Sequence, residues 1–140
     1  MQFRSPLKIS LAFFGLILSI RATATESDAT VYYLPFKVET YVAVTKATIE
    51  TAAAAKWTIS DQSRATRLVS LLNGGVKVEA KQFDENRVRV KVIAGDQIYF
   101  VDSEGVVQRG KKTVRIDVAD FMQFEKSLRP EEIRSLSHDK

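Results

Sequence analysis

The sequence predicts an α+β fold, an antiparallel sheet of four to six strands with two or three helices packed on one face. Three observations predict it. Residues 76–93 alternate apolar and charged side chains for almost their whole length. Residues 61–72 and 117–128 carry apolar positions at helical spacing behind acidic caps. Turn signals separate several β-prone runs after residue 94.

The N-terminal segment stands apart from that fold. Arg4 and Lys8 precede the uncharged apolar run ISLAFFGLILSI (9–20), and Ala22-Thr23-Ala24 places small residues around a cleavage point. The pattern predicts a secretory signal peptide over residues 1–24 and a single domain over 25–140. The run has 12 residues. A span needs roughly 20, so no stable membrane insertion is expected after cleavage. The full chain has a net charge of +4. Loss of Arg4, Lys8 and Arg21 leaves 18 basic and 17 acidic residues. That near-neutral balance argues against nucleic acid or anionic lipid as a partner. There is no cysteine, which removes thiol catalysis, thiolate zinc sites and disulfide staples. An exported domain without disulfides points to a bacterial envelope, so the expected location is periplasmic or secreted.

The elements follow in order. TESDAT (25–30) reads as a polar leader. Val38, Thr40, Val42 and Val44 share one face at period two, which predicts a strand over about 37–44 bounded by Pro35. Thr45 is placed to cap KATIETAAAAK, an alanine-rich helix of about ten residues. KWTIS is a short strand or a turn. Ser60 or Asp61 caps a helix with Ala65, Leu68, Val69 and Leu72 inward, ended by Asn73-Gly74-Gly75, residues that tolerate positive φ. Residues 76–83 and 87–93 then form a hairpin around Asp84-Glu85-Asn86, with Phe83 opposite Arg87. In that register Lys81 faces Arg89, Glu79 faces Lys91 and Val78 faces Val92, leaving one face apolar and the other charged and wet. QIYFV, the type I turn Asp102-Ser103-Glu104-Gly105, VVQ, RGKK and TVRI extend the sheet. Asp117 caps the last helix, whose buried stripe is Val118, Phe121, Phe124 and Leu128. Pro130 opens a final turn with Glu131 and Glu132, before a polar tail.

The chemistry-bearing residues are few. His138 is the only histidine and lies two residues from the end of the sequence, where nothing fixes its second nitrogen. Asp117 with Asp120 and Glu131 with Glu132 sit where helix starts favour acids. Counted as a calcium loop from Asp102, the fifth and sixth positions are Val106 and Val107, which carry no ligand oxygen and no glycine. Asn73-Gly74-Gly75 lacks the lysine of a phosphate cradle. The basic alternation lacks the stacking aromatics of a single-strand binder. No catalytic, cofactor-binding or metal residue is therefore predicted, and no cofactor. The candidate partner-binding residues are Trp57, Arg87, Arg89 and Lys91, with Tyr32 and Tyr33 as further aromatics that interfaces favour. The expected function is a small exported non-catalytic binding protein of inhibitor, immunity or adaptor type, acting on another envelope protein. The alternatives are a carboxylate-dependent hydrolase of cell-wall material and a small-ligand carrier with an apolar cavity between sheet and helices.

Overall fold

The computed structural model describes residues 28–128 and the backbone of 133–135. The signal segment, most of the leader, the Pro130 turn with Glu131 and Glu132, and the tail with His138 lie outside the described residues.

The architecture is α+β, with one antiparallel sheet. Eight strands take part among the described residues: β1 (Ala29–Tyr33), β2 (Ala55–Ile59), β3 (Val76–Lys77), β4 (Val88–Ala94), β5 (Gln97–Asp102), β6 (Val106–Arg109), β7 (Lys112–Arg115) and β8 (Ile133–Ser135). Their spatial order is β3-β7-β6-β5-β4-β1-β2-β8. The helices are α1 (Ile49–Ala52), α2 (Gln62–Asn73) and α3 (Val118–Lys126).

The two long helices form where local signals agree. The Asp61 carboxylate accepts from the Ser63 and Arg64 amides, and α2 buries Ala65, Leu68 and Leu72. Asp117 accepts from the Ala119 amide, and α3 buries Phe121 and Phe124. Both pack on one sheet face, against Val31, Tyr33, Trp57, Val90, Val92, Tyr99 and Val101. Among the described residues no helix is long and apolar enough to cross a membrane.

Four expectations need correction. The first strand is 29–33, not 37–44. Pro35 stops it, because proline cannot donate to the ladder, and the last ladder bond is Leu34 N–H to the Arg89 carbonyl at 2.7 Å. Residues 34–48 run as a loop, in which only Val44 makes a bridge, to Arg87. The alanine-rich helix is one turn long. Thr48, not Thr45, is its N-cap residue, and beyond it Ala53 adopts extended ψ while Ala54 N–H bonds the Tyr33 carbonyl. Pairing with β1 thus outweighs the helix propensity of a short alanine run.

The third correction is the hairpin. Val76–Lys77 pairs with β7 at the sheet edge, Ala80–Gln82 is a 3₁₀ turn, and β4 pairs with β1 and β5. Lys81 and Arg89 are therefore not partners. β4 is rich in valine and takes a central place with neighbours on both sides, whereas Glu79, Ala80 and Lys81 are weak strand formers. α2 ends at Asn73 with Gly74 as its cap, as expected. Gly74 has φ −84°, and positive φ occurs only at Gly95, Gly105 and Gly110 among the described residues.

The fourth correction is the wet face. A second core cluster of Leu34, Val44, Ile49, Phe83, Val88 and Val106 lies on the face opposite α2 and α3, where α1 contributes Ile49 and Phe100 packs on it. A bulge in β4 creates it. Val88 pairs with Asp102 but Val90 pairs with Val101, so Arg89 is an extra residue. Period two would put Val88 and Val90 on one face; the bulge sends them to opposite ones. Lys91 also lies on this covered face, bonded to Glu50 at 2.7 Å with its ammonium 5.6 Å from the Phe100 ring centre.

Candidate binding site

The bulge, the 36–43 loop and the 102–105 turn enclose a cavity of about 730 Å³, lined by Phe36, Val38, Arg87, Arg89, Ser103 and neighbouring residues. The turn is rigid because Asp102 organises it. Its Oδ1 accepts from the Glu104 and Val106 amides, each at 2.9 Å, and its Oδ2 accepts from the Asp84 amide at 2.9 Å. Burial raises the Asp102 carboxyl above its ordinary range, and these three amides pull the other way. The acid holds three segments together and presents no free edge to a substrate.

Arg89 forms one wall. Its side chain is 4% exposed. Nη1 donates to the Val88 carbonyl and Nη2 to the Val38 carbonyl, both at 3.1 Å, and Nε has no partner. Burial first, and then the neighbouring Arg87, lower its proton affinity below the ordinary guanidinium range, with Asp84 and Asp102 acting in the opposite sense. It remains charged, as arginine does in proteins. No carboxylate among the described residues pairs with it. The Ser103 hydroxyl is also buried without a partner.

The rim of the site is apolar. Tyr41 is wholly exposed, Val42 is 76% exposed, and Val38 is partly so. A shallow apolar depression of about 580 Å³ adjoins them, lined by Tyr41, Val42, Val44, Thr48 and Ala52 among others. Residues 39–43 make no backbone hydrogen bond to the described residues. Nothing in the sheet requires these side chains to be where they are.

The sequence candidates separate. Arg87 and Arg89 come together at the cavity; Arg87 is exposed and 3.9 Å from Asp84. Lys91 sits further along β4 on the covered face, tied to Glu50. Trp57 is 1% exposed and stacks on Tyr33 in the helix-side core, so it presents no surface to a partner in this fold. Tyr33 shares that core, while Tyr32 lies on the opposite face with the Lys56 ammonium 5.3 Å from its ring centre. Sequence reasoning missed Tyr41, Val42 and Ser103. An available signal for the first two was the short apolar run Tyr41-Val42-Ala43-Val44 in the segment after Pro35. Ser103 gave none beyond its turn.

Asp117 is engaged as a helix cap. Glu39 and Glu104 both line the large cavity and are both exposed, so nothing sets their surroundings apart. Among the described residues no group of three His, Cys, Asp or Glu could hold a metal. A further depression of about 460 Å³ contains Arg67 and Arg115, but Asp117 and Asp120 balance their charge.

Comparisons with family models, curated proteins and solved structures find no match. The functional reading therefore rests on the geometry of this chain.

Proposed function

We propose that this chain is a small exported, non-catalytic binding protein that docks another protein of the cell envelope through the 38–43 loop. The observation that carries the reading is the pair Tyr41 and Val42, held out in solvent beside an apolar depression. Tyrosine is enriched at interface hot spots because it buries a large rigid surface and keeps a polar tip. Covering a fully exposed tyrosine contributes on the order of 2 kcal/mol of apolar burial, about one half of the free energy of a millimolar contact. Arg87 beside the loop adds a polar rim, which suits an acidic partner surface. Export rests on the basic start, the 12-residue apolar run and Ala22-Thr23-Ala24.

The test compares wild type with Tyr41→Ala/Val42→Ser. Both proteins are immobilised and challenged with an envelope extract. The reading expects a partner retained by wild type, lost by the double variant, and unfolding midpoints that agree within about 0.5 kcal/mol, as for exposed substitutions. Equal retention by both proteins would defeat it.

A small-ligand carrier is the second reading, favoured by the cavity volume of about 730 Å³. That lies within the roughly 300–1,000 Å³ of ligand sites. It differs in requiring neither Tyr41 nor Val42.

A further inference from the structure

Arg89 and Ser103 are two unfinished polar groups at one cavity. A buried guanidinium normally meets a carboxylate, because an unpaired buried charge is among the most destabilising features a fold can hold. Arg89 instead meets two backbone carbonyls, which supply partial charge only and leave Nε–H without an acceptor. The Ser103 hydroxyl, held in place by the Asp102 turn, is likewise buried without a partner. Both residues line the same cavity, with Arg89 Nε and Ser103 Oγ just beneath its surface, so that a shift of the loop at Val38 would open them to one kind of occupant. It must be an acceptor, it must carry negative charge, and it must satisfy a planar donor and a hydroxyl together.

The cavity charge selects the class further. Lys37, Arg87 and Arg89 line it together with Glu39 and Glu104. Arg87 is offset by Asp84 at 3.9 Å, so Arg89 is the buried cation left without a carboxylate, which accommodates a single negative charge rather than a dianion such as phosphate. A carboxylate fits, since its two oxygens match the side-on edge of a guanidinium. The Val38 carbonyl that takes Arg89 Nη2 sits at the start of the loop segment 39–43 without backbone bonds to the described residues. Such a segment yields readily to an entering oxygen.

We infer that this cavity is a carboxylate-binding site, in which Arg89 and Ser103 take an acidic group of the protein that docks on Tyr41 and Val42. The inference rests on the docking reading for the source of the carboxylate, and on the cavity alone for the site.

The test needs no partner, so its failure is distinct from failure of the docking reading. The purified protein is titrated with N-acetylglycine, which presents a chain-terminal carboxylate, and with the N-methylamide of N-acetylaspartate, which presents a side-chain one. Inorganic phosphate is the competing arm, at matched ionic strength. The readout is the Arg89 Nε–H resonance by NMR. A saturable shift with either carboxylate supports the site, and the arm that binds tighter names the chain end or an acidic side chain as the source. Ser103→Ala should weaken that binding by about three- to tenfold, the range of one lost hydrogen bond. Arg89→Lys removes the side-on edge and should abolish it, but Arg89 also ties the loop, so the wild-type titration and Ser103→Ala decide. No saturable shift from either carboxylate would make Arg89 a structural tie only. Phosphate binding as tightly as carboxylate, or Ser103→Ala without effect, would equally overturn the assignment.

Discussion

Replacing Trp57 tests the packing argument most directly. The indole is 1% exposed, stacks on the Tyr33 ring at 5.0 Å between centroids, and pairs across the sheet with Val31. Trp57→Ala removes nearly all of this. Large-to-small changes of a buried tryptophan cost about 3–5 kcal/mol, and the lost ring stacking adds about 0.5–1.5 kcal/mol. Trp57→Phe behaves differently. Nε1 is buried with no partner, so its removal relieves about 1–3 kcal/mol of unmet desolvation. That offsets most of the cost of the smaller ring, leaving Trp57→Phe within about 1 kcal/mol of wild type. Trp57 is the only tryptophan, so its variants lose the usual fluorescence signal and urea unfolding is followed by far-UV circular dichroism. With a urea slope of about 2 kcal/mol per molar, Trp57→Ala should lower the midpoint by about 1.5–3 M, or leave the chain unfolded in buffer. An alanine variant that unfolds with wild type would refute the buried assignment. A phenylalanine variant as damaged as the alanine one would show that Nε1 does have a partner.

Two further predictions concern backbone and charge. A Cβ on Gly75 would lie 2.3 Å from the Arg115 carbonyl oxygen, a backbone atom with little room to yield, whereas at Gly110, with φ +54°, it would meet nothing within 4 Å. Gly75→Ala should cost about 2–3 kcal/mol by overpacking and Gly110→Ala about 1 kcal/mol by strain alone; thermal midpoints in the reverse order would contradict the close approach of α2's end to β7. Asp102 carries a carboxyl whose proton affinity is higher folded than unfolded. Its contribution to stability is present below the ordinary carboxylate range and is lost as pH rises through the raised folded value. Urea midpoints measured from about pH 3.5 to 7 should show a falling component in wild type that is smaller in Asp102→Asn, where burial of the Glu125 carboxyl, also raised, leaves the remainder; a component that grows on substitution would mean that the three amides outweigh burial at Asp102.

The parts of the fold legible in the sequence are those whose cause is local. Asp61 and Asp117 sit beside the amides they cap, and Phe121 and Phe124 recur at helical spacing. Asp102-Ser103-Glu104-Gly105 closes its own turn, with Gly105 at φ +82°. The illegible parts depend on distant partners. β1 is a strand because 55–59 and 88–94 flank it, while residues 38–44 have the same period-two pattern and remain a loop because no strand flanks them. Arg89 looked like one charge in an alternating row. A single bulge residue moved Val88 to the other face and buried the arginine beside it, and no pattern in one strand reveals its register against the next.

The same contrast bears on the site. Folding accounts for most polar groups here in the ordinary way: Asp102 has three amides, and Lys91 has Glu50 and a ring face. It accounts for most apolar ones through two covered sheet faces. Tyr41 and Val42 escape that rule, since their exposure contributes nothing to either core. Arg89 and Ser103 escape it in the opposite sense, since burial without full partners lowers stability; Trp57 Nε1 and Thr113 Oγ1 share that state, but only Arg89 carries a charge. Both kinds of departure around the N-terminal end of β4 make a loop that gains by being covered and a cavity that gains by being filled, and the proposed partner, with an acidic and partly apolar surface, would supply both.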